Sequence, residues 1–141
     1  MKPKFRVWDK KQKKMINAIL IKVDKDVVPR CYIVKDSKLI SFQVSDDFSE
    51  IMQATGLSDL NNKEIFEGDI LYRKVYDTLI GDTLGKWLHE YVEVEWKNGG
   101  WFAKDELLSY QLTDGVDKNG RYQTAFVCVG NIYENHYLIE V

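Results

Sequence analysis

Apolar and polar positions alternate along much of this chain. In "KFRVWD", Phe5 and Val7 share one parity and Arg6 and Trp8 the other, the two-residue period of a strand. The polar run "DKKQKK" interrupts it, and apolar alternation resumes from Met15 to Val23. This predicts a β-hairpin with a lysine-rich tip. "RCYIVKDSKLISFQV" repeats the design, with strands over 30–35 and 39–44 and a turn at Lys35-Asp36-Ser37-Lys38. Asp and Ser favour such turns by bonding the local backbone. The clearest hairpin is "YVEVEWKNGGWFAK": Val92, Val94 and Trp96 share a parity, and Asn98-Gly99 is a strong two-residue turn signal.

The period changes at "SDDFSEIMQAT". Phe48, Ile51 and Met52 fall at i, i+3 and i+4, and Asp47 and Glu50 have capping-box spacing, so a short helix is predicted at about 46–55, ended by Gly56. Turns follow at "SDLNNKEI" and "FEGD", where Gly68 tolerates positive φ and Asp69 can bond the turn backbone. Residues 76–90, with Gly81 and Gly85, read as a long connection carrying Leu79, Leu84, Trp87 and Leu88. "KDELLSY" has the makings of one helical turn, and "DGVDKNGR" is a polar loop. The chain closes on a strand, a break at Gly130-Asn131 and an apolar tail.

The fold class expected is therefore mainly β: an N-terminal β-hairpin region, 1–55, including the short helix, and a C-terminal small β-barrel, 56–141, with one or two short helices in all. The expected core is Phe5, Val7, Ile21, Val23, Ile33, Phe42, Ile65, Ile70, Val92, Val94, Trp96, Phe102, Phe126, Val127 and Ile132. Composition agrees. Aromatic residues make up 13% of the 141 positions, and they suit half-buried pleated surfaces.

Charge narrows the partners. The net charge is −2, so no global basic field draws the chain to nucleic acid or to a membrane. The distribution is lopsided: within residues 1–14, Lys2, Lys4, Arg6, Lys10, Lys11, Lys13 and Lys14 face the single acid Asp9, a local charge of +6 that leaves −8 for the remainder. No segment approaches the roughly 18 consecutive apolar residues of a membrane span, and the charged N-terminus has no apolar signal region. Cys31 and Cys128 are isolated, as two thiols in a reducing cytoplasm would be. A cytoplasmic location is expected.

Catalytic chemistry is poorly supported. Asp59, Glu67 and Asp69 sit in predicted turns, where polar residues need no further explanation. His89 and His136 are lone residues, and no metal-ligand cluster, nucleophile elbow or phosphate-cradling loop is present. No cofactor and no metal is expected, and the chain reads as a non-enzyme.

Two binding classes remain. In the first, Arg6, Trp8, Lys10, Lys11, Lys13 and Lys14 form a nucleic-acid site, with the aromatic for base stacking and the cations for phosphates. A lysine-rich tip also has an ordinary use, keeping an edge strand from pairing. In the second and favoured class the chain binds protein, itself or a host or phage partner. Leu84, Trp87 and Leu88 are then the candidate interface, since Trp is a common anchor there. A symmetric oligomer would cover any apolar outer face of residues 1–45.

Four segments carry a resemblance: "KFRVWDKKQKKMI" at 4–16, "MQATGLSDLNNKEIFEGDIL" at 52–71, "VEVEWKNGGWF" at 92–102 and "VGNIYENHYL" at 129–138. In order and content they resemble the YopX family of phage and prophage proteins of low-GC Gram-positive bacteria. That resemblance implies a β-rich phage protein with an SH3-like or barrel element, and it carries no known catalytic residues. The chain departs from the family pattern at Asn62, where Gly is usual before the "EI" strand, and at His136, where Pro is frequent. Asn tolerates left-handed geometry best of the non-glycine residues, so the first turn should survive.

Overall fold

A computed structural model of the chain describes residues 5–18, 20–22, 30–35, 37–43, 49–77, 85–105, 109–112, 115–116 and 122–140. Strands dominate it. The chain divides into two compact units, Met1–Ala54 and Thr55–Val141.

In the first unit β1 (Phe5–Asp9) and β2 (Lys14–Ala18) form the lysine-tipped hairpin, with register from Phe5↔Ala18 to Asp9↔Lys14. Its tip is built by two local devices. The Asp9 carboxylate accepts the backbone N–H groups of Lys11 and Gln12 at 2.9 and 3.0 Å. Lys13 takes a left-handed conformation, φ 56°. A three-stranded sheet follows, β3 (Leu20–Lys22), β4 (Arg30–Lys35) and β5 (Lys38–Gln43), paired in that order. The β4–β5 turn is closed by Ser37 at φ 62°, as the Asp-Ser signal predicts.

The expected helix at about 46–55 is not formed over its described part. Residues 49–55 belong to a strand, β6 (Ser49–Ser58), whose first half pairs antiparallel with β1 from Asp9↔Ser49 to Phe5↔Gln53. Asp47 and Phe48 lie outside the described residues. The spacing of Ile51 and Met52 fits either period. A helix under three turns is marginal in water, whereas five rows of ladder against β1 satisfy the backbone outright. Gly56 is accordingly not a helix cap. It sits at φ +79° inside β6, with open space where a Cβ would lie, so the requirement there is conformational. Thr55 braces the irregularity: its Oγ1 donates to the Ile65 carbonyl at 2.8 Å and accepts the Leu57 N–H at 2.9 Å.

The second unit is built on a five-stranded antiparallel sheet in the order β11-β10-β9-β8-β14. Its strands are β8 (Asp69–Asp77), β9 (Lys86–Lys97), β10 (Gly100–Lys104), β11 (Ser109–Gln111) and β14 (Val127–Asn131). Short β7 (Glu64–Phe66) pairs with β6, β12 (Gly115–Val116) pairs with β13 (Tyr122–Gln123), and β13 meets β6 at Gln123↔Ser58. A single 3-10 turn, His136–Leu138, is the helical element among the described residues. Asn98 at φ 50° and Gly99 at φ 77° make the predicted tight turn between β9 and β10.

The sheet does not close into the expected barrel, because its outer strands β11 and β14 are not paired with each other. β11 has three residues and β14 is bulged between Cys128 and Gly130. Short, bulged edges end a sheet rather than join it.

One face of this sheet buries Leu57, Ile65, Leu71, Val92, Val94, Ala103, Leu112 and Phe126 in a single cluster, with Trp101 and Cys128 packed against it. Val7, Ile65, Ile70, Val92, Val94 and Phe126 are buried as expected, while Phe5, Phe102, Val127 and Ile132 are half-buried. Trp96 is a correction: it is 55% exposed. It keeps the parity of Val92 and Val94 but occupies the last rows before the turn, beyond the core. There its ring packs edge-on against its cross-strand partner Trp101, centroids 4.9 Å apart. The side chains of Ile21, Val23, Ile33 and Phe42 lie outside the described residues.

Candidate functional site

β8 and β9 make a long two-stranded arm, paired in eight rows from Ile70↔Glu93 to Asp77↔Lys86. Of residues 76–90, which their glycines suggest are a long connection, Tyr76 and Asp77 belong to β8 and residues 86–90 to β9, while residues 78–84, Leu84 among them, lie outside the described residues. The root of the arm is core: Ile70, Leu71 and Val92 are fully buried. The outer rows differ. Tyr76 is 51%, Trp87 57% and Leu88 40% exposed.

Alternation sorts the arm into two stripes. Tyr72, Lys74 and Tyr76 of β8 stand opposite Tyr91, His89 and Trp87 of β9. The Tyr76 and Trp87 rings meet edge to face at 5.0 Å, and the Lys74 ammonium lies 5.0 Å from the centre of the Trp87 ring. The Tyr72 hydroxyl and His89 Nδ1 share a hydrogen bond of 2.6 Å, with their rings stacked. Tyr91 packs against Tyr72 at 5.1 Å. Gly85 is needed here for space: a Cβ at that position would lie 2.4 Å from the Tyr76 ring. On the opposite face Val75 stands across from Leu88. Next to them Arg73 Nε donates to Glu90 at 2.7 Å, while its guanidinium covers the Phe126 ring at 4.5 Å.

A groove of about 620 Å³ runs beside the arm. Val75, Leu88, Tyr91, Leu138 and Ile139 supply its apolar wall. Its polar groups are His89, Glu90, Glu93, Lys104, Asp105 and Glu140. Lys104 bridges Glu93 at 3.1 Å and Glu95 at 3.0 Å, and hydrogen bonds to Glu95 first and Glu93 second raise its ammonium above the usual lysine range. Glu140 Oε1 pairs with His136 Nδ1 at 2.9 Å. Four carboxylates and one ammonium line the groove, and Arg73 reaches Glu90 from outside the lining, so carboxylates remain in excess.

The sequence-predicted residues fall apart in space. Arg6 and Trp8, proposed to face nucleic acid, are both only 8% exposed. β1 is the middle strand between β2 and β6, and it is buried on both faces, which withdraws the stacking aromatic from solvent. Lys10, Lys11, Lys13 and Lys14 are exposed at the hairpin tip, and Lys10 is bound to Glu50 at 2.9 Å. Trp87 and Leu88 are exposed on the arm. Sequence reasoning missed Tyr72, Lys74, Tyr76, His89 and Tyr91. A two-residue period runs through both "YRKVY" and "WLHEY" and is the signal that would have found them.

The turn acids are structural. Asp59 is 1% exposed, and its Oδ1 accepts the N–H groups of Asn61 and Lys63, both at 2.8 Å. Asn62 sits left-handed at φ 63°, so it does serve where the family uses Gly. Asp69, equally buried, accepts the Phe66 N–H at 2.9 Å, while Gly68 beside it holds φ +83°. The "GNIYEN" block is a clasp. Asn131 Oδ1 accepts the Tyr133 and Glu134 N–H groups, and Asn135 Oδ1 accepts the N–H of Asn131.

These corners are the motifs that carry the family resemblance, and the sequence model described as "YopX protein" matches residues 4–140. The chain belongs to the YopX family. Its fold is similar to that in the crystal structure of protein EF1440 from Enterococcus faecalis, with a TM-score of 0.61, 28% identity and 99% of each chain covered. No curated protein matches the chain. As a YopX protein it thus has a shared scaffold in which the most specific sequence blocks are turn chemistry.

Proposed function

We propose that this YopX protein is a non-enzymatic accessory protein of phage or prophage origin. It acts in the bacterial cytoplasm by protein association, self-association foremost, through the β8–β9 arm and the groove beside it. The observation that carries the reading is the outer end of the arm, where Tyr76, Trp87 and Leu88 are exposed on both faces of a two-stranded ribbon. Such a ribbon is marginally stable in water, and large aromatic and aliphatic side chains clustered on a surface mark association sites. YopX membership supports the phage setting. No helix among the described residues is long and apolar enough to cross a membrane.

The test is light scattering behind size exclusion over a range of concentrations, on the wild type and on the double variant Trp87→Ser/Leu88→Ser. The wild type is expected to assemble and the variant to assemble more weakly. The variant should remain folded, losing only about 1–2 kcal/mol through the Tyr76 and Lys74 ring contacts. A wild type that stays monomeric at every concentration overturns the reading.

A further inference from the structure

We propose that the groove beside the arm is the receptor for the lysine-tipped β1–β2 hairpin of a second copy of this chain. The inference rests on the self-association reading and names the contact that would join the copies.

Charge complementarity is the argument. Glu90, Glu93, Asp105 and Glu140 line the groove. Lys104 bridges Glu93 and Glu95, Arg73 pairs with Glu90 and His136 with Glu140, which leaves the carboxylates around the groove in excess of the cations that answer them. The hairpin tip has the opposite character: Lys10, Lys11, Lys13 and Lys14 stand there against the single acid Asp9, with Lys10 paired to Glu50. Lys11, Lys13 and Lys14 are exposed there, on a turn held in one shape by the Asp9 carboxylate and the left-handed Lys13. A preorganised tip loses little conformational freedom on docking.

Shape and polarity agree. The groove's volume of about 620 Å³ is that of a cleft able to enclose several extended side chains. Its apolar wall, Leu88, Tyr91, Leu138 and Ile139, suits the methylene stems of lysines whose ammonium groups reach the carboxylates at the rim. Single-stranded nucleic acid is the weaker occupant for the tip, because Trp8 and Arg6, the candidate stacking and phosphate groups beside the lysines, are buried. Tip and groove are different surfaces, so the contact is head-to-tail. It builds a ring where the rotation closes and a filament where it does not.

The test uses two full-length variants, each judged folded by its urea midpoint. One reverses the tip, Lys11→Glu/Lys13→Glu/Lys14→Glu. The other reverses the groove, Asp105→Lys/Glu140→Lys. In light scattering at low salt the wild type should assemble and lose the assembly at high salt. Each variant alone should be monomeric, because tip and groove then repel. Mixed in equal amounts, the two should assemble again, since each tip now meets a groove of opposite charge. Assembly of either variant alone to the wild-type size overturns the proposal, as does a mixture that stays monomeric. If both charge variants assemble normally but Trp87→Ser/Leu88→Ser does not, the arm reading stands and this contact falls. A monomeric wild type removes both. A tip variant that assembles normally but loses affinity for a single-stranded oligonucleotide assigns the tip to nucleic acid instead.

Discussion

Asp59 Oδ2 accepts the backbone N–H of Cys128 at 2.9 Å, across 69 residues of chain. The same carboxylate closes its own turn through Asn61 and Lys63. Its backbone completes the junction: Leu60 N–H donates to the Phe126 carbonyl, and Gln123 Nε2 donates to the Asp59 carbonyl, both at 2.9 Å. One buried side chain thus joins the "SDLNNKEI" corner to the last strand. Asp59→Ala leaves three N–H groups without their acceptor and should cost about 3 kcal/mol or more. Asp59→Asn keeps one acceptor oxygen and should cost clearly less. Urea unfolding of the two variants measures this, and equal costs would mean that Oδ1 and Oδ2 do not both bind as described.

Gly130 and Asn135 are coupled by close approach. A Cβ on Gly130 would lie 2.3 Å from Asn135 Oδ1, the atom that accepts the Asn131 N–H. Gly130→Ala therefore forces the clasp open and should destabilise by about 2 kcal/mol. In an Asn135→Gly background the obstruction is gone, and the added cost of Gly130→Ala should fall to well under half. A double-mutant cycle by urea denaturation reads the difference. Strict additivity would place the strain elsewhere.

Turn chemistry is where the sequence was most legible, because a turn is decided by its own few residues. Asn98-Gly99, Gly68 and Asn62 all adopt the left-handed backbone their residue types tolerate best. Strand identity failed where tertiary pairing decides. Ile51 and Met52 fit a helix locally, but β1 offered them a ladder. The arm was hidden by Gly81 and Gly85, which resemble loop punctuation. Gly85 is instead the space under the Tyr76 ring. Parity correctly put Val92, Val94 and Trp96 on one side, but it cannot say where along a strand the core ends. The barrel failed for a similar reason, since strand edges meet or part according to bulges such as that at Cys128–Gly130. Of the site, Trp87 and Leu88 could be read from the sequence. The groove could not, because its wall joins the arm to Leu138 and Ile139 some fifty residues later.

The β9–β10 turn separates conformational from packing cost. Gly99 is at φ +77° with nothing within 4 Å of where its Cβ would be. Gly99→Ala should therefore cost about 1 kcal/mol from left-handed strain alone. Because no neighbour is displaced, Gly99→Asn should cost clearly less than Gly99→Ala, since Asn tolerates left-handed backbone best of the non-glycine residues. Urea midpoints of the two variants measure this, and equal costs would show that the residue has a packing role as well.

Cys128 should be a slow thiol. It packs against the core, and its Sγ–H donates to the Gly130 carbonyl at 3.7 Å. Burial, with Asp69 as the second cause, pushes its pKa from the ordinary 9.0 up to about 11. The unfolded thiol loses its proton near 9.0 while the folded one keeps it, so between those values the unfolded state binds fewer protons. The thiol's contribution to stability is then fully present below about pH 9 and declines as the pH rises towards 11. In a Cys31→Ser background, the ultraviolet absorbance of the thiolate should titrate near 11 in the native protein and near 9.0 in urea. Iodoacetamide should label the native protein correspondingly slowly at neutral pH. A native midpoint at the ordinary value would mean that Cys128 is open to solvent and that the bulge of β14 is looser than the Asp59 bond implies.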